Sequence, residues 1–250
     1  MTGLPVKLFL ISTRAHMNLF FSTEIEGDLC FLDETESRHC IRVLRMKPGS
    51  MIRFTDGTGR LYEGLVAGAD PRKCTVKITS LIENFERREY RLHIGISPLK
   101  NHDRLEWFLE KCVEIGIDEI TPVYCSNTEK HGIKKDRLNS IIISAMKQSI
   151  KTIRPVLNDL TDFKEFIRCG LHGKKMIAHC YNDRKRYKIS DIYSSNEPAT
   201  ILIGPEGDFS EDEVGMAVTW GFIPVHLGNS RLRAETAGIA ACHSVYLINQ

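Results

Sequence analysis

One stretch, residues 199–244, restricts the fold more than any other: ATILIGPEGDFSEDEVGMAVTWGFIPVHLGNSRLRAETAGIAACHS. Ile201-Leu202-Ile203 is a short, branched apolar run with the length of a buried strand. It stops at Gly204-Pro205-Glu206-Gly207, a loop able to bring bare backbone groups close to a ligand. Ser210 and Glu213 form an S-x-x-E capping box, which predicts a helix from about Glu211, with Gly221 placed to end it. A second strand over residues 223–227 leads to Gly228 and the polar loop Asn229-Ser230-Arg231. The last helix is predicted to start near Arg233 and is rich in small residues, among them Ala234, Ala237, Gly238, Ala240 and Ala241. Two strand ends, each followed by a glycine-containing loop and a helix, suit one pocket, because open α/β sheets bind ligands at the carboxyl ends of strands. Ordinary βα turns would show the same spacing.

Upstream, strands and helices alternate, which predicts a mainly parallel sheet. Strands are expected at 92–97, 120–124 and 176–180, and a helix runs to about Ile115 with Leu105, Phe108, Leu109 and Cys112 inside. Ile177-Ala178-His179 would supply a third pocket wall. Residues 18–88 read differently. Strands at 19–21, 50–54, 61–66 and 74–80 are broken by Lys47-Pro48-Gly49, Asp56-Gly57-Thr58-Gly59 and Asp70-Pro71, and one helix spans about 34–44. This is the pattern of a small β-barrel. Residues 84–90, NFERREY, read as a linker, so domains are expected at 17–86 and 90–250.

The chain has 250 residues, 42% of them hydrophobic, and a formal net charge of only +2, so bulk charge does not mark a nucleic-acid binder. Local charge does more. Arg38, Arg42, Arg45, Lys47, Arg53 and Arg60 outnumber Glu34, Glu36 and Asp56, a surface able to hold RNA phosphates or simply a solvated helix face. The eight cysteines form no C-x-x-C pair, and the adjacent His–Cys pairs have poor geometry for a shared zinc, so reduced, mostly buried thiols and no metal are expected in a cytoplasmic protein. No apolar run approaches the roughly 18 residues of a membrane span. The chain carries no G-x-G-x-x-G after a first strand, no P-loop and no G-x-S-x-G elbow, which argues against dinucleotide, nucleoside-triphosphate and serine-hydrolase sites.

LIGPEGDFS followed by LGNSRLRAETAG closely resembles the last two motifs of the SPOUT methyltransferases, above all the bacterial family that methylates N3 of a uridine in 16S ribosomal RNA. That family carries LIGPEGG and then LG-x-x-x-LR-T-ETA, so Gly204 to Gly207, Leu232-Arg233 and Glu235-Thr236-Ala237 match residue by residue. Asp208 stands where a second glycine is usual, and Ala234 where a threonine is usual. HCIRVLRMKPG and FTDGTGRLYEG resemble the family's PUA-like N-terminal domain. PLKNHDRLEWFLEKCVEIGI resembles PKGDRMEW…KATELGV, matching Lys100, Arg104, Glu106, Lys111 and Glu114, although Lys111 and Glu114 would equally form an exposed i,i+3 pair. AMKQS resembles A-x-E-Q-S with Lys147 in place of the glutamate, and Gln148 would bond substrate or cap local backbone. Met17-Asn-Leu-Phe-Phe resembles the family's usual start, so the first sixteen residues are expected to be an extension without function.

The resemblance implies a C-terminal trefoil-knotted α/β SPOUT domain behind a small N-terminal PUA-like β-barrel, a knot that periodicity alone never suggests. It implies S-adenosylmethionine as cofactor, held around Ile203, Gly204, Pro205, Glu206, Gly207, Leu227, Gly228 and Leu232. It implies a homodimer acting on the small ribosomal subunit at uracil-1498 of its 16S RNA. Neutral N3 of uridine is a poor nucleophile, so its proton must leave. Arg233 suits stabilisation of the charge developing on the base and Glu235 suits removal of the proton, while Glu206 and Glu235 would alternatively brace a loop or helix start. Arg38, Arg42, Arg45, Lys47, Lys100, Arg104 and Gln148 are the expected RNA contacts. Three other functions remain open: ribose 2′-O methylation by another SPOUT enzyme, a non-catalytic RNA-binding assembly factor, and a β-barrel adaptor that binds no RNA.

Overall fold

The apolar runs of the first part pair, in the computed structural model, into a six-stranded sheet. The structure describes residues 18–129, 132–181 and 185–250, so the expected N-terminal extension lies outside the described residues. The chain divides into two compact units, one reaching Arg87 and taking in Met146–Arg154, the other Arg88–Ala145 with Pro155–Gln250.

In the first unit the strands are β1 (Leu19–Phe21), β2 (Glu24–Glu26), β3 (Leu29–Phe31), β4 (Met51–Thr55), β5 (Leu61–Gly68) and β6 (Thr75–Ile82), in the order β1-β4-β5-β6-β3-β2. Only β1–β4 is parallel, and β5 and β6 slip register at two points, which bends and twists a ribbon. Alternation along these strands sends Phe20, Ile52, Phe54, Val66 and Val76 into one core with Cys30, Cys40 and Cys74. Asp33 caps the short helix α1 (Glu34–Arg38), which continues as a π-helical turn over His39–Val43. The segment Met146–Arg154 closes this unit. The Thr55 hydroxyl donates to the carbonyl of Thr152 at 3.1 Å, and Arg154 N–H donates to Gly57 O at 2.8 Å.

The second unit holds β7 (Leu92–Ile96), β8 (Glu119–Tyr124), β9 (Val156–Leu157), β10 (Thr161–Asp162), β11 (Lys174–Ala178), β12 (Tyr187–Lys188), β13 (Ala199–Ile203) and β14 (Ile223–His226). They form one parallel sheet in the order β10-β8-β7-β13-β11-β14-β12, with β9 also on β8. Its helices are α2 (His102–Ile115), α3 (Lys135–Gln148, whose residues from Met146 on belong to the first unit), α4 (Phe163–Arg168), α5 (Ile189–Ile192), α6 (Glu211–Thr219) and α7 (Ala234–Ile248). Every residue of β7 and β13 is buried, as expected of central parallel strands covered on both faces. The predicted capping box is present: Glu213 N–H donates to Ser210 Oγ, and the Glu213 carboxylate accepts from Ser210 N–H. Lys111 and Glu114 make the i,i+3 pair at 2.9 Å. Six of the eight free cysteines are buried, and Cys169 and Cys180 are exposed. Among the described residues no helix is long and apolar enough to cross a membrane, and no group of three His, Cys, Asp or Glu side chains could hold a metal.

Candidate active site

β11 lies between β13 and β14 in the sheet. Their carboxyl ends therefore come together although more than forty residues separate the first from the last. A cavity of about 690 Å³ opens there, within the range of small-molecule sites. One wall is Ala178, His179 and Cys180, at the end of β11, as expected for the third wall. The other is the loop after β14, including Leu227, Gly228 and Leu232, with Arg231 and Arg186 at the polar side. Gly228 has φ +107°, and a side chain there would meet open space, so only the backbone conformation demands glycine.

Ile203, Gly204, Pro205, Glu206 and Gly207 do not line this cavity. Ile203 ends β13, and Gly204 to Gly207 form the loop that follows it, held by a dense set of contacts. A Cβ on Gly204 would sit 3.0 Å from the Phe209 ring, so this glycine serves packing. The Glu206 carboxylate accepts from Lys100 N–H at 3.1 Å, and Asn127 Nδ2 donates to the carbonyls of Gly207 and Asp208. Asp208 itself has φ +64°, a left-handed conformation that glycine adopts freely and aspartate tolerates. Its Oδ2 accepts from Cys180 N–H at 2.8 Å, its Oδ1 from Phe209 N–H, and the Tyr181 hydroxyl donates to Phe209 O at 2.7 Å. Burial, followed by the charge and hydrogen bond of Asp208, raises the pKa of the Cys180 thiol. Sequence reasoning missed Cys180 and Arg186 as cavity walls. The signal available was the aspartate at a glycine position.

Arg233 is exposed at the N-cap position of α7 and makes no side-chain capping bond. Two residues on, Glu235 is 5% exposed, with Oε1 3.7 Å from Arg104 Nε and, among the described residues, no partner for Oε2. Arg104 is thus turned towards a buried carboxylate, and Lys100 pairs with Glu129 at 2.8 Å. In the first unit Arg42, Arg45, Lys47 and Gln148 are exposed, and exposed Arg38 pairs with Glu34 at 2.6 Å. A second cavity, of about 480 Å³, lies at the amino-terminal edge of the sheet. Its polar groups satisfy one another: His93 Nε2 lies 2.7 Å from Thr121 Oγ1, and Asn158 Nδ2 donates to Thr121 and Glu119.

One unit is an α/β sheet with a ligand-sized cavity at converging strand ends, and the other is a compact β unit with exposed cations; the family models that match them give the class, an RNA methyltransferase. The family model described as an RNA methyltransferase domain matches residues 86–246, and that described as an RNA methyltransferase PUA domain matches residues 32–79. The chain belongs to the RNA methyltransferase family, among the ribosomal RNA small subunit methyltransferases E. The ribosomal RNA small subunit methyltransferase E 2 of Borreliella burgdorferi is 30% identical over 80% of this chain and 83% of its own. A probable rRNA-methyltransferase from Porphyromonas gingivalis is 39% identical, with a TM-score of 0.88 over 93% of this chain and 98% of that one. The ribosomal RNA small subunit methyltransferase E from Neisseria gonorrhoeae, solved bound to S-adenosyl methionine, is 26% identical, with a TM-score of 0.84 over 94% and 98%. The mixed fold, a bent N-terminal sheet followed by a parallel one, is that of a PUA-like unit with a SPOUT unit.

Proposed function

We propose that this protein is an S-adenosylmethionine-dependent methyltransferase that modifies N3 of a uridine, uracil-1498, in 16S ribosomal RNA. The observation that carries this reading is the cavity at the ends of β11 and β14, in a chain matching a cofactor-bound relative along nearly its whole length. The lining suits the cofactor: Leu227, Leu232 and Val225 offer an apolar slot, and Arg186 and Arg231 offer cations to a carboxylate. The bound cofactor supplies an electrophilic methyl group on a sulfonium.

The chain's own residues supply the rest. Exposed Arg233 stabilises the negative charge that spreads over N3 and its flanking oxygens. Glu235 takes the N3 proton, a role supported by the unpartnered Oε2 (a costly state for a buried carboxylate oxygen). Arg104 orients Glu235 as well as approaching RNA, and Glu206 and Asn127 brace the neighbouring loop. Residues 17–86 grip ribosomal RNA through Arg38, Arg42, Arg45 and Lys47, with Lys100 and Gln148 as further contacts, while residues 90–250 perform transfer. A homodimer in the cytoplasm, with the C-terminal elements threaded as a trefoil knot, completes the proposal.

The test combines calorimetric binding of S-adenosylmethionine with methyl transfer to small-subunit RNA and mass analysis of the product nucleosides. N3-methyluridine is the expected product. A ribose-methylated product would replace this reading with a 2′-O activity. RNA binding without any cofactor affinity would leave an assembly factor.

A further inference from the structure

We propose that Asp208 is a positioning residue for the cofactor cavity, clamping the loop after β11 to the loop after β13. The inference rests on the cavity being the cofactor site. The motif that this stretch resembles has glycine here, a residue that suits the backbone: φ is +64°. Aspartate keeps this conformation and adds a carboxylate that glycine lacks. That carboxylate does two things. Oδ1 accepts from Phe209 N–H at 2.8 Å, fixing its own side chain within its loop, and Oδ2 reaches across to Cys180 N–H at 2.8 Å. Cys180 and His179 before it form a cavity wall at the end of β11. The Tyr181 hydroxyl on Phe209 O makes a second tie between the same loops, so Asp208 acts on a wall already brought close.

A charge-assisted bond of this kind orders the wall before ligand arrives, which lowers the ordering cost of binding. Arg186 and Arg231 line the same cavity and lie near enough to oppose, at the Cys180 thiol, the upward push of burial and of Asp208. No contact of Asp208 with the transferred methyl group or with RNA is required, which separates its role from that of Arg233.

Asp208→Gly keeps the backbone conformation and deletes the clamp, whereas Asp208→Asn keeps the conformation and one of the two acceptors, with an amide NH2 in place of the other. The Gly variant is expected to raise the Kd and the KM for S-adenosylmethionine roughly tenfold, with kcat at saturating cofactor within about twofold of wild type. The Asn variant, left with one acceptor, should fall between wild type and the Gly variant in both constants, and Cys180 amide exchange should quicken most in the Gly variant. In parallel, bound cofactor should slow alkylation of Cys180 by iodoacetamide while leaving Cys169, exposed at the other cavity, unprotected. If wild type binds cofactor and Asp208→Gly binds it equally well, the clamp is refuted alone. If cofactor protects neither cysteine, or wild type does not bind it, the cavity reading and the clamp fall together.

Discussion

Arg233 stands exposed at the residue that opens α7, beside Arg231 and Leu232 of the cavity wall, so removing its charge should act on the reaction more than on folding. Arg233→Ala is expected to lower kcat by roughly a hundredfold or more while leaving cofactor Kd within about twofold. Stopped or quenched single-turnover transfer, alongside calorimetry, separates the two effects; a parallel loss of binding would remove Arg233 from the chemistry. His93 shows the opposite case, a titratable group whose role is in the fold. Burial lowers its pKa from the ordinary 6.5, with the charge of Glu119 opposing that effect. The imidazole stays neutral in the folded protein at pH values where the unfolded chain binds a proton. The unfolded state therefore holds more protons, and stability falls as pH drops below 6.5. His93→Gln can still bond Thr121 but does not titrate, so its melting temperature should fall less than wild type between pH 7.5 and pH 5 (values set by the window). Equal slopes for the two proteins would show that other groups carry the acid sensitivity.

At the scale of elements, α7 illustrates why small residues are spaced as they are. A run of small residues lets a neighbour pack close to the helix. At Gly238 the neighbour lies within the same unit: an added Cβ would come 2.5 Å from Phe108 Cε2 on α2 and 3.5 Å from Ile96 on β7. Phe108 is fully buried and cannot swing away. Alanine would gain about 1 kcal/mol of helix propensity over glycine, but overpacking a fixed aromatic ring costs about 1–3 kcal/mol. Gly238→Ala should therefore lower stability in urea titration, and a rise would mean that α2 yields. The longer strands of the second unit and the Ser210 capping box were legible because their signals are local: apolar runs of the right length and a cap three residues from its partner. The cavity was legible only in part. The end of β14 and the end of β11 were foreseen as walls, but the insertion of β11 between β13 and β14 depends on strand order, which no local pattern encodes. The strands β2, β3, β9, β10 and β12 span two or three residues each, too short for a period to show.

The whole molecule adds what neither residues nor elements reveal, namely that the first unit is discontinuous in sequence. Residues 146–154 return to it from the far side of α3, a pairing across about a hundred positions that sequence patterns do not report. Lys147 sits where the resembling motif has a glutamate, and its partner explains the exchange. Glu36 is buried at 5% exposure on α1, accepting from Phe21 N–H at 3.3 Å through one oxygen and from the Lys147 ammonium through the other. Such a carboxylate without its cation would be left in a poorly solvated place. Lys147→Met should cost about 2–3 kcal/mol, at the lower end for a broken buried pair because the lysine is itself partly exposed. Glu36→Gln removes the charge but keeps an acceptor for Phe21, so it should cost less. The decisive measurement is the double variant by urea unfolding. If the ion pair closes the unit, Glu36→Gln in the Lys147→Met background should restore stability, since it removes the stranded charge, and the coupling energy should be of order 1 kcal/mol or more. Strict additivity would instead place the tie in the backbone bonds of Thr152 and Arg154, with Lys147 an ordinary surface cation.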